Sequence, residues 1–190
     1  MARPDKLPKI LTVEKTDRLL AQPNQRYFGP HRDYLFRRLM LKAGLRSDGP
    51  TSRAHRSHKR KAHRSGGQGR ERPHPLVGEE VLGELQEWMD RLSEEVDTES
   101  PSYLLPTRKG TEVAPSHLRR LVKRYADKAD IEEVSRVSPH TLRHTFATRL
   151  YRETGNIRMV QKALGHSDLS TTMIYTHVVD EEMEGAMKGL

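Results

Sequence analysis

The chain has 190 residues, no cysteine, and 34 Lys/Arg against 26 Asp/Glu, for a formal net charge of +8. That length suits one domain, 1–190, with a sizeable core, and the lack of cysteine excludes disulfides, thiolate metal sites and a thiol nucleophile. No apolar run is long enough to span a membrane and the start "MARPDKLPKILT" lacks a signal-peptide apolar region, so a cytoplasmic protein with no membrane partner is expected.

The positive balance points to a polyanionic partner. It is unevenly spread: residues 51–75 hold eight Lys/Arg and a single acid, Glu71, which leaves only +1 for the rest of the chain. The same segment has no Val, Ile, Leu, Met or aromatic residue, so neither a helical stripe nor a strand can be read in it.

In chain order, 12–21 reads as a short helix capped by Thr12, and 31–43 as a second helix stopped by Gly44. Periodicity returns at 78, where Val81, Leu85, Trp88, Met89, Leu92 and Val96 make one helical face. "SYLLP" at 102–106 is a short strand candidate and "TRKGTEVA" a turn. Ser116 caps the next helix, with Leu118, Leu121, Val122 and Tyr125 as its buried stripe. "SPHTLRHTFATRL", 138–150, opens a helix with Ser138 as cap, Pro139 at its first position and Leu142, Phe146 and Leu150 inward, ending near Gly155. A further helix fits 157–164 between Asn156 and Gly165, and Ser170 is a candidate cap for one more short turn. Val179, Met183, Met187 and Leu190 mark an amphipathic tail over 178–190. The fold class expected is mostly α with a small antiparallel sheet (α+β).

His140 and Arg143 lie three apart, hence on one helix face, near the positive end of their helix, where an anion is favoured. His166 comes directly after the helix-ending Gly165, Tyr175 nine residues later, and Arg46 stands just past the stop at Gly44. Two arginines, two histidines and a tyrosine are what metal-free attack on a phosphodiester requires. Tyrosine offers an oxygen nucleophile that is weak at its ordinary pKa of about 10 and needs a nearby base. Guanidiniums fork onto the non-bridging oxygens, and histidines move a proton or donate to the phosphate. Any one of these residues alone reads as easily as a packed tyrosine, a turn histidine or a surface charge; the joint spacing argues for a site.

"SPHTLRHTFATRL…LGHSDLSTTMIYTHV" resembles the catalytic signature of the tyrosine recombinases, the phage integrase family. The His-x-x-Arg pair, the Leu-Gly-His and the tyrosine nine residues after its histidine stand in register. "LPKILTVEKTDRLL…HRDYLFRRLMLKAGLR" resembles the start of that family's catalytic domain, and "YLLPTRKGTEVAPSHLRRLVKRYADKADI" its middle. The resemblance implies a site-specific recombinase acting on double-stranded DNA and self-associating there, with no cofactor and no metal. It implies that Tyr175 attacks the scissile phosphate to give a 3′-phosphotyrosyl link. Arg46 and Arg143 would hold the phosphoryl group, His140 would assist proton transfer from Tyr175, and His166 would hydrogen-bond the phosphate.

Two departures stand out. Six residues before "LPKILT" leave no room for the family's N-terminal DNA-clamping domain, which is expected to be absent. Between Arg46 and Leu76 the family builds a sheet whose hairpin carries a catalytic lysine; here the best register, "GGQGRERPHPL", puts Gly67 at that place, so the sheet is expected to be incomplete. Lys59 and Lys61 lie nearby without the matching spacing. The 47–75 segment is either a disordered basic arm gripping DNA or a local frameshift. Its His55, His58 and His63 read more simply as solvated side chains than as metal ligands. A nicking-closing topoisomerase uses similar chemistry but matches "LGHSDLSTTMIYTH" less well, and the rival from another class is a catalytically impaired DNA-binding remnant.

Overall fold

The computed structural model describes residues 8–46, 78–96 and 103–188. Seven α-helices are present among them: α1 Val13–Ala21, α2 Phe28–Ala43, α3 Glu79–Glu95, α4 Pro115–Lys128, α5 Pro139–Thr154, α6 Ile157–Leu164 and α7 Ile174–Met187, with a 3-10 turn at Val134–Arg136. Helices α2 and α5 form the central pair; α3 packs on α2, and α6 and α7 pack on α5. The fold is mostly helical, as expected, and no extended ladder accompanies it among the described residues, where Tyr103 makes only an isolated bridge. The 47–75 segment, with Lys59, Lys61, Gly67 and its three histidines, lies outside those residues. No described helix is long and apolar enough to cross a membrane.

Local chemistry accounts for most helix ends. Thr12 accepts the Lys15 N–H, Asn156 accepts those of Arg158 and Met159, and Ser138 and Thr141 form a reciprocal capping box ahead of Pro139. Gly44, Gly155 and Gly165 end α2, α5 and α6 in the left-handed conformation. Two boundaries differ from the sequence reading. Helix α2 begins at Phe28 rather than 31, because Gly29 and Pro30 fall in its first turn, where proline's missing N–H removes no helical bond. Helix α4 begins at Pro115 after Ala114, so Ser116 sits inside the helix and caps nothing.

The main core joins Leu35, Phe36, Leu39 and Met40 of α2 to Trp88 and Leu92 of α3, Leu121 and Val122 of α4 and Leu142 of α5. Burying such side chains contributes roughly 1.5–3 kcal/mol each, which fixes the stacking of these helices. "SYLLP" is no strand: Leu105 is buried and the Leu104 carbonyl accepts the Trp88 indole N–H at 2.8 Å. Met89, assigned to the inner face of α3, is instead exposed. A second apolar cluster links Ala147 of α5, Val160 and Leu164 of α6 and Tyr175 of α7, with Phe146 and Leu150 packed against it. The candidate nucleophile is therefore part of the core between three helices.

Candidate active site

The N-terminal half of α5 faces a gap bounded by the ends of α2 and α6 and the start of α7. Met40, Arg46, His140, Arg143, His144, His166, Thr171 and Tyr175 line one open pocket there, of about 270 Å³. All five residues singled out in the sequence meet in it, though they are spread from position 46 to position 175.

Arg143 is the hub. Its Nη1 donates to the Gly44 carbonyl and its Nη2 to the Leu164 carbonyl at 2.6 Å. Both carbonyls lie at helix C-termini, where backbone oxygens lack intrahelical partners and the helix dipole is negative. The ends of α2 and α6 thus grip one guanidinium, which is nearly buried. The glycine stops that create these ends also position the residues just beyond them. Past Gly44 (φ +60°) the chain turns out of α2 and Arg46 reaches the pocket from the surface. Past Gly165 (φ +63°) the His166 N–H bonds back to the Gln161 carbonyl at 3.1 Å, a closure that fixes the backbone under that imidazole.

His166 Nε2 lies 3.3 Å from Arg143 Nη2, and its Nδ1 lies 3.1 Å from the hydroxyls of both Thr171 and the fully buried Thr172. Burial, then Arg143 and Arg46, hold its pKa below the usual histidine value. A neutral imidazole that accepts from Arg143 at Nε2 carries its proton on Nδ1 and donates it to a threonine oxygen. His140, at the start of α5, is exposed and lines the pocket mouth.

Tyr175 is 1 % exposed, and burial pushes its phenol up to about 12 although Arg143 pulls the other way. Its hydroxyl lies 3.0 Å from Nδ1 of His144, with the two rings tilted at 51° and 5.7 Å apart. The sequence reading passed over His144. A signal was available: His140 and His144 are spaced i, i+4 and so share a face of α5. Burial, then His140, Arg143 and His166, pulls the His144 imidazole down to about 4.

The site is thus an electropositive pocket at a helix N-terminus, with a protonated phenol and neutral imidazoles at its floor. Such a pocket suits a phosphodiester anion, and its floor suits an oxygen nucleophile with a nitrogen base in contact.

The profile of the phage integrase family matches residues 9–182. Tyrosine recombinase XerD of Shewanella oneidensis is 35 % identical over 182 residues, covering 94 % of this chain and 60 % of that protein. Tyrosine recombinase XerD of Yersinia pestis is 36 % identical over 185 residues, covering 95 % and 61 %. Among solved structures, the XerH site-specific recombinase bound to palindromic difH substrate, a post-cleavage complex, superposes with a TM-score of 0.76 at 26 % identity, covering 96 % of this chain and 53 % of that one. The XerA recombinase gives 0.71 at 26 % identity, covering 99 % and 65 %. The chain therefore spans about 60 % of the length of these curated relatives. With that profile running through all five expected site residues, the chain belongs to the phage integrase family of tyrosine recombinases.

Proposed function

We propose that this chain is the catalytic part of a site-specific DNA recombinase that cuts and rejoins double-stranded DNA through a 3′-phosphotyrosyl intermediate. The observation that carries the reading is the convergence of Arg46, Arg143, His140, His166 and Tyr175 on one pocket. Arg143, held by two helix ends, and Arg46, reaching in from the rim, neutralise the phosphoryl oxygens as phosphorus becomes five-coordinate. His166 donates to the same group once a phosphate displaces Arg143 from its Nε2 and the ring proton moves there. Tyr175 Oη then attacks phosphorus, the Tyr–P bond replaces the P–O5′ bond, and a 5′-hydroxyl leaves. The covalent link keeps the ester's energy, so another 5′-hydroxyl reverses the step without a metal or a nucleotide.

Support comes from family membership and from relatives whose solved forms include complexes with their DNA substrates before and after cleavage. Self-association on DNA belongs to the same proposal. Helix α7 leaves Met183 60 % and Met187 72 % exposed beyond the half-buried Val179, an apolar stripe with no covering among the described residues; Leu190 lies outside them.

A second reading, a DNA-binding remnant with impaired chemistry, is favoured by Gly67 standing where the family pattern has a lysine. One experiment separates the two. A library of nicked "suicide" duplexes with randomised arms is incubated with the full chain, and covalent protein–DNA adducts are captured on denaturing gels. The recombinase reading expects adducts that are absent with Tyr175→Phe; the remnant reading expects bound duplex and no adduct.

A further inference from the structure

We infer that His144 accepts the proton of the Tyr175 hydroxyl during strand cleavage, the part that the family resemblance gives to His140. The inference rests on the reading of Tyr175 as the nucleophile.

Geometry makes the case. His144 Nδ1 is 3.0 Å from the hydroxyl, and the hydroxyl belongs to a ring that is 1 % exposed, so bulk water is poorly placed to take the proton. His140, one turn earlier on α5, is exposed at the pocket mouth and makes no hydrogen bond to Tyr175 among the described residues. A base must also be unprotonated before it acts. The groups facing His144 are His140 and Arg143 on its own helix, His166 after α6, Arg46 after α2 and Tyr175 on α7. Burial first, then His140, Arg143 and His166, keep the imidazole neutral near pH 7. With its ring proton on Nε2, Nδ1 accepts from the phenol.

The same surroundings tie the base to substrate. A phosphodiester bound at Arg143 offsets the charge that Arg143 sets against His144, so the imidazole gains proton affinity when there is a phosphate to attack. In the step, the Tyr175 O–H bond breaks and the proton passes to Nδ1. The oxygen's electron pair forms the bond to phosphorus, and the P–O5′ pair leaves on the 5′ oxygen, which takes a proton from water. The hydroxide formed is neutralised by the His144 proton through solvent. In religation the 5′-hydroxyl gives its proton to solvent as its oxygen attacks phosphorus, and His144 takes one up from solvent and passes it to the departing Tyr175 oxygen.

The test uses the full chain and a duplex recovered from the randomised suicide library. Single-turnover adduct formation is followed against pH for wild type, His144→Gln, His140→Gln and Tyr175→Phe, beside duplex affinity and thermal melting. His144→Gln is expected to bind duplex like wild type and to lose about 10²–10⁴-fold in adduct rate. Its residual rate should climb with hydroxide concentration where wild type has levelled off, whereas His140→Gln, at a residue of the same pocket, should lower the rate yet still level off as pH rises. An adduct rate for His144→Gln within a few-fold of wild type, with the same profile, overturns the inference and leaves Tyr175 as nucleophile. If His144→Gln melts early, His144→Ala with added imidazoles decides. A rate that rises with the basicity of the imidazole supports proton transfer, and no rescue overturns it. Adduct formation by Tyr175→Phe, or none by wild type, instead removes the reading on which the inference stands.

Discussion

The Tyr175 hydroxyl and His144 Nδ1, 3.0 Å apart, are both held uncharged, the phenol up to about 12 and the imidazole down to about 4. Each shift makes stability depend on pH. The imidazole, at 6.5 when unperturbed, contributes fully above that value and its contribution is lost as pH falls from about 6.5 towards 4. The phenol, at 10 when unperturbed, contributes fully below 10 and loses its share as pH rises towards 12. Urea midpoints should therefore form a plateau over about pH 7–9 and fall on either side. His144→Gln should shorten the acid limb without abolishing it, because His31, His117 and His166 are also held low by burial. An unchanged acid limb in that variant would mean that His144 is not held neutral by the fold.

Gly44 links the fold to the pocket. It sits at φ +60°, a Cβ there would fall onto the Phe146 ring, and its carbonyl takes the Arg143 guanidinium. Gly44→Ala should cost about 1–2 kcal/mol for the left-handed backbone alone, with more from the displaced ring. Because Arg143 and Arg46 are both placed by this turn, duplex cleavage should fall further than the melting temperature suggests. Equal losses in both would mean that the turn is purely structural.

Much of this site was legible in the sequence, and the reasons are local. Thr12, Ser138 and Asn156 cap through their own side chains, and Gly44, Gly155 and Gly165 end helices through their backbone freedom. Such signals sit within a few residues of what they control, so the ends that carry Arg46 and His166 could be placed without tertiary knowledge. His144 was not legible in that way, because its partner lies 31 residues away and meets it only when α7 packs on α5. "SYLLP" misled for a similar reason. Its composition is that of a strand, yet in the fold it closes over Trp88. Ser116 misled because proline at the preceding position starts the helix earlier than a serine cap would.

The tail gives a separate expectation. Met183 and Met187 project from α7 largely exposed, while Arg152 pairs with Glu182 nearer the body. Met183→Asp should leave monomer stability within about 0.5 kcal/mol, as for an ordinary surface change. It should weaken self-association on DNA, read by sedimentation of the protein–duplex complex. A lowered melting temperature in the free protein would instead place this stripe inside the fold.

Gly67 sets a limit on the leaving-group step. With no lysine at that register, the departing 5′ oxygen is expected to want a placed acid, which would cost about 10²–10⁴-fold in general-acid catalysis. A duplex with a 5′-bridging sulfur, whose leaving group needs no proton, should be cleaved faster by that order. Equal rates on sulfur and oxygen substrates would mean that another group supplies the proton or that a different step limits the rate.

The phosphotyrosyl mechanism stands or falls on the identity of the residue joined to DNA. Residues 163–188 contain no arginine and no lysine before Lys188, and their one tyrosine is Tyr175, so trypsin releases the candidate nucleophile on a single peptide. Mass spectrometry of the trapped adduct, after nuclease and trypsin digestion, should find the nucleotide mass on that peptide at Tyr175, and Tyr175→Phe should give no adduct. A nucleotide on any other residue, or an adduct that survives the phenylalanine variant, would contradict the mechanism.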